Sequence, residues 1–179
     1  MIHAVTQGQL RPGMLSFVKL NNGKIFAAYE IVGLAGGPIH YRIVDSLTDW
    51  GDHTYRGKQI MTKDRKTFGT SPWVGYVPGN GEKGLLLVSA EHMITSTDAK
   101  GDELEVDLFA SLDYGETWFT IPNPMPYKNV AQQTAKQGYS SGFFTAEDGH
   151  TAYFIQATDW DYPVYGNRSV VKIVQLQVW

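Results

Sequence analysis

Apolar and polar residues along this chain alternate in short runs broken by glycine-containing turns, the pattern of β-strands joined as hairpins. Met14 to Leu20 (MLSFVKL) and Lys24 to Val32 (KIFAAYEIV) flank Asn21-Asn22-Gly23, and an Asn-Gly step suits the positive φ angles of a tight hairpin turn. Ile39 to Leu47 supplies a third strand and Lys58 to Thr62 a fourth, which completes a four-stranded meander. The order then restarts with Ser71 to Pro78, a Pro-Gly-Asn-Gly turn, Gly84 to Ile94, Asp107 to Leu112 and Thr117 to Pro122. It restarts again with Tyr139 to Ala146, an Asp-Gly turn, Thr151 to Trp160 and Ser169 to Trp179.

The glycine turns recur at roughly 60 residues, a repeat of the length and content of β-propeller blades. The fold expected is all-β and propeller-type, with about three four-stranded antiparallel blades over residues 10–66, 67–127 and 134–179. Central strands such as IFAAY, LLLV and AYFI are apolar on both faces, as required of sheets packed between neighbouring sheets. A two-layer sandwich of about ten strands is the competing architecture. Asn129 to Gly138 has too few apolar residues for a core-facing helix and reads as a loop between blades.

At 179 residues, with 42% hydrophobic, 13% aromatic and 18% charged residues, the chain has the material for one well-packed domain. A net charge of -3 without a basic stripe argues against nucleic acid as a partner. The absence of cysteine removes disulfides, iron–sulfur clusters and thiolate zinc sites. The five histidines are scattered without ligand spacing, and no phosphate-binding glycine loop or nucleophile elbow is present, so neither metal nor cofactor is expected. MIHAVTQGQLRPG lacks the basic and apolar regions of a signal peptide, and no apolar run reaches the ~20 residues of a membrane helix. No membrane partner is expected.

Ser111-Leu112-Asp113-Tyr114-Gly115-Glu116-Thr117-Trp118 fits S-x-D-x-G-x-T-W. In a hairpin tip the Asp caps backbone N–H groups, the Gly permits positive φ and the Trp anchors the outgoing strand. This segment resembles the Asp-box (BNR repeat) of the sialidase superfamily, where the box is structural and lies away from the active site. RPGMLSFVKLNNGKIFAAYE, PIHYRIVDS, TSPWVGYVPGNGEKGLLLVSA and GYSSGFF, in that order from Arg11 to Phe144, are similar to the exo-acting α-L-arabinanase branch with its six-bladed propeller. The resemblance implies a glycoside hydrolase acting on a carbohydrate, in an extracellular or periplasmic setting, of which this chain matches about half the propeller. Three blades leave two sheet faces open, so either the chain is a fragment or two copies close a ring as a homodimer.

Glycoside hydrolysis uses two carboxyl groups, one protonated and one ionised. Glu30 ends an apolar strand on the face of Phe26 and Ala28, where desolvation would raise its pKa and suit a general acid. The resemblance places an active-site carboxylate here too. It places the second at Asp107, by alignment on LFASLDYG, with Glu105 and Glu103 as near alternatives; a solvated acidic loop is the competing reading of Asp102 to Asp107. Tyr139 corresponds to a tyrosine lining the sugar subsite. Arg42, a cation among apolar strand residues, would orient substrate, hold Glu30 ionised or form a structural ion pair. Tyr41 and Trp73 are candidate stacking platforms for sugar rings, against the simpler role of core aromatics. Glu91-His92 forms a further pair near a strand end, read as a surface hydrogen bond. A non-catalytic propeller segment that binds glycan or protein is the alternative function.

Overall fold

The computed structural model describes residues 11–32, 39–48, 57–62, 70–94, 103–124, 137–158 and 170–177. They form eleven antiparallel strands in three sheets and, among the described residues, no helix. The first sheet contains β1 (Arg11–Lys19), β2 (Ile25–Val32), β3 (His40–Val44) and β4 (Lys58–Gln59). The second contains β5 (Thr70–Val77), β6 (Leu85–Ile94), β7 (Glu103–Ser111) and β8 (Phe119–Ile121). The third contains β9 (Gln137–Thr145), β10 (Thr151–Thr158) and β11 (Val170–Gln177).

In each sheet the strands pair in chain order, and among the first strands β1 adjoins β5 and β5 adjoins β9 across the sheets. That is a radial stack of blades around a shared edge, and it excludes a two-layer sandwich. Val74 N–H donates to Ser16 Oγ at 3.0 Å, a bond from β5 to β1 that fixes the first two blades side by side.

Packing follows the two-faced apolar strands. Phe26 and Ala28 of β2 meet Leu86, Val88 and Ala90 of β6 in the core between sheets one and two. Leu85 and Leu87 point the other way, with Ala152 of β10 in the core between sheets two and three. Val106, Leu108 and Phe154 extend that second layer. The outward face of the third sheet keeps Phe144, Val171 and Ile173 exposed, the open sheet face that a three-blade arc leaves.

Two segments differ from expectation. Of the expected acidic loop, Glu103, Glu105 and Asp107 are strand residues instead: β7 begins at Glu103, because β6 runs to Ile94 and pairs with it residue for residue, while Asp102 lies outside the described residues. Gln137 and Gly138 likewise open β9, while residues 129–136 of the expected loop lie outside the described residues.

The S-x-D-x-G-x-T-W turn forms the capped tip its residues anticipate. Asp113 Oδ1 accepts from Thr117 N–H at 2.9 Å and from the Ser111 hydroxyl at 2.8 Å, and Oδ2 accepts from the Thr117 hydroxyl at 2.6 Å. Gly115 adopts φ 91°, a conformation open to glycine, and Trp118 is buried against Phe26 of the first sheet. Tyr41 joins that aromatic group: its ring stacks on Phe26 at 5.0 Å and its hydroxyl donates to the Gly115 carbonyl. It is a core residue that ties the first blade to the turn of the second, which removes it as a sugar platform.

Candidate active site

The hairpin turns at Asn21 to Lys24, Pro78 to Gly84, Leu112 to Trp118 and Ala146 to His150 fall at one end of the sheets. Glu30 and Glu91 lie towards the other end, on β2 and β6. The strand connectivity therefore separates the capped aspartates from these two glutamates.

Glu30 is half-buried and held by two backbone donors from irregular strands. Its Oε1 accepts from Met14 N–H at 3.3 Å and its Oε2 from Ser71 N–H at 3.0 Å. Both donors sit at register breaks, between Pro12 and Leu15 in β1 and between Thr70 and Trp73 in β5. A bulge turns an N–H out of the ladder and re-aims it, here onto the same carboxylate. Ser71 is buried with φ 52°, a left-handed conformation that strains a non-glycine residue and persists where surrounding structure enforces it. Gly13 is required at the other side: a Cβ there would stand 2.0 Å from Glu30 Oε1.

Glu91 is the opposite case. It is 0% exposed, and neither carboxyl oxygen has a hydrogen-bond partner. Burial first, and the repulsion of nearby Glu30 second, push its pKa up to about 7. The backbone explains the proximity: Glu91 is in register with Thr70, and the next residue, Ser71, donates to Glu30. One bulge thus stands between the two carboxyl groups. A neutral acid beside a clamped carboxylate is the asymmetry that general acid catalysis requires.

The remaining expected residues spread over this end. Asp107 is in register with Ala90, which places it on the face of the second sheet away from Glu91. Glu105 lies in register with His92, and Tyr139 lies near the start of β9; for both, the backbone alone is described. Arg42 pairs with Ala27, so it shares the face opposite Glu30 and does not point at that carboxylate. Trp73, on the innermost strand β5 and in register with Ser89, is 39% exposed and free of the core role that claims Tyr41. The desolvated acid expected at Glu30 is found at Glu91. The clue in the sequence was parity: Glu91 continues Leu85, Leu87 and Ser89 on one face of a strand apolar on both sides.

Three adjoining antiparallel sheets, each paired in chain order, define a propeller-type fold. Solved structures agree on the fold. The chain superposes on a Penicillium chrysogenum α-L-arabinanase complexed with arabinobiose with a TM-score of 0.64 at 22% identity, over 98% of this chain and 44% of that one. A Fusarium graminearum α-L-arabinofuranosidase in complex with an iminosugar inhibitor gives 0.58 at 20% identity, over 94% and 43%. A further glycoside hydrolase gives 0.54 at 13% identity, over 98% and 56%. The chain thus spans less than half the length of the first two. No protein-family model matches it, and no curated protein sequence does.

Proposed function

We propose that this chain carries the acid/base site of a glycoside hydrolase, with Glu91 as general acid and Glu30 as the second carboxyl group. The observation that carries the reading is the buried, partnerless Glu91 next to a carboxylate gripped by two backbone N–H groups. Sequence alone paired Glu30 with Asp107 or Glu105; the geometry supports Glu91 in that place. The proton leaves the Glu91 carboxyl for the glycosidic oxygen as the C–O bond breaks and its electron pair goes to that oxygen. Glu30 stabilises the positive charge on the sugar ring or captures it, and water finally supplies hydroxide to the anomeric carbon and a proton back to the acid. Trp73 offers the ring face for the sugar, and Tyr139 of β9 is proposed as a further subsite residue. An α-L-arabinofuranoside is the proposed substrate, since two of the solved structures that share the fold are named as an α-L-arabinanase and an α-L-arabinofuranosidase.

The test is release of nitrophenol from 4-nitrophenyl α-L-arabinofuranoside. Glu91→Gln and Glu30→Gln are each expected to lower kcat by at least ~100-fold, while Asp107→Asn keeps its activity. Full activity in either glutamine variant overturns the assignment. Because the protonated form of Glu91 is the active one, the rate should fall as pH rises through about 7.

A second reading, a carbohydrate-binding blade assembly, is favoured by the exposed Trp73 ring alone. It predicts arabino-oligosaccharide binding that Trp73→Ala abolishes and Glu91→Gln leaves intact, with no hydrolysis at any pH.

A further inference from the structure

Four buried side-chain polar atoms lack a hydrogen-bond partner among the described residues, and three of them belong to one layer between the second and third sheets: both Glu91 oxygens and Gln156 Nε2. Buried polar groups in folded proteins are nearly always paired, so such a concentration points to a use. The surrounding contacts close a ring around that layer. Ser89, two residues from Glu91 on the same face of β6, shares a hydrogen bond of 2.9 Å with Ser141 of β9. Ser141 is in register with Gln156 of β10. Asn123 Nδ2 then donates to Gln156 Oε1 at 3.4 Å and to the carbonyl of Val106 at 2.9 Å, and Val106 is the β7 residue in register with Glu91.

This arrangement gives the Gln156 amide a fixed sense. Asn123 occupies its oxygen, so its two N–H donors are left for the interior, and Gln156 is itself 0% exposed. A buried carboxyl that gives up its proton becomes an anion with no water to solvate it, and a nearby amide donor is the cheapest compensation available. Resting on the reading of Glu91 as general acid, we infer that Gln156, oriented by Asn123, is a positioning residue that turns its N–H donors to the Glu91 carboxyl and stabilises it after proton release. The charged group facing Glu91 among the described residues is Glu30 from β2. The other elements around it present uncharged Ser89 (β6), Val106 (β7), Ser141 (β9) and Gln156 (β10), while Asp107 lies on the far face of β7.

The experiment is a carbon-13 titration of the glutamate side-chain carboxyls, with Glu91 identified by the signal missing from Glu91→Gln. Gln156→Leu is expected to raise the Glu91 midpoint by about one pH unit. Asn123→Ala, which acts on Glu91 through Gln156, should raise it in the same direction, and the double variant should show less than the sum of the two, the signature of one residue acting through another. Where hydrolysis is measurable, the basic limb of the pH profile moves with that midpoint. An unchanged midpoint in both single variants overturns the inference, as does strict additivity. Failure of Glu91 as a catalyst is a separate result: the enzyme assay is then silent, and the carboxyl titration still decides the role of Gln156. If Gln156→Leu does not fold, the midpoint in Asn123→Ala decides by itself, a rise supporting the role of Gln156 and an unchanged value overturning it.

Discussion

At the turn end of the sheets Asp113 and Asp148 sit in full sets of hydrogen bonds, whereas at the opposite end Glu91 has none. Asp148 Oδ1 accepts from His150 N–H and Thr151 N–H, each at 2.8 Å, and its Oδ2 from the Thr151 hydroxyl at 2.7 Å. The Thr151 hydroxyl and the two N–H groups lower its pKa. Asp113 is also lowered, because bonds from Thr117 and Ser111 together outweigh its larger single influence, burial. Glu91 is raised by burial and by Glu30. The same functional group is therefore a structural staple at one end and an acid of raised pKa at the other. What differs is the supply of donors: a turn exposes N–H groups in need of an acceptor, while a strand interior has already committed its own to the ladder.

The linkage signs are opposite as well. Glu91 keeps its proton in the folded state up to about pH 7 but gives it up near 4.5 when unfolded. Its favourable contribution is complete below that lower value and is lost as pH rises to 7, by on the order of 3 kcal/mol at 1.36 kcal/mol per unit. The two aspartates stabilise at neutral pH and lose that contribution as pH falls through the acid range. The largest effect should thus come from Glu91→Gln: urea unfolding of the native chain weakens between pH 4.5 and pH 8, and the variant loses that slope. Equal slopes in both proteins would erase the contrast between the two ends.

Next in size is Gly13→Ala, whose methyl group must displace the Glu30 carboxylate or the strand carrying it. A stability loss of about 2 kcal/mol is expected, within the range for overpacking, together with a fall in activity of roughly tenfold or more from misplacing a carboxylate. A variant that melts and turns over like the parent would show that the two bulges do not hold Glu30 in place. Asp113→Ala removes three acceptor contacts at the turn end and should lower stability by about 1 kcal/mol, with kcat untouched. Asp148→Ala comes last: its turn is fully solvated, so the melting temperature should drop less than for Asp113→Ala. Activity that moves with either aspartate would join the two ends functionally and break the comparison.

Much of this architecture could be read from residue order. Asn22-Gly23 and Asp148-Gly149 announced their hairpins, and the spacing of Ser111, Asp113, Gly115 and Thr117 announced a capped turn, because these effects act within a few residues. Glu91 was hidden for the opposite reason. Beside His92 it looks like a surface residue, yet it is buried, and the sheet that packs on its face of β6, through contacts such as Ser89 with Ser141 of β9, comes from far along the chain. Tyr41 and Arg42 make the same point from adjacent positions of β3: one is locked into the aromatic core with Phe26 and Trp118, the other turned to the far face from Glu30. Alternation could place them on opposite sides, but only the neighbouring sheet decides which side is core.

The sequence by itself determined the all-β character, the hairpin turns, the repeated sheet and the presence of an acid at the end of β2, since local backbone preference and two-residue alternation are written in neighbouring residues. Only the tertiary structure decided which carboxyl is stripped of water and which is clamped by N–H donors. Desolvation and charge repulsion depend on what other strands bring within a few ångströms, and no stretch of a single strand contains that information.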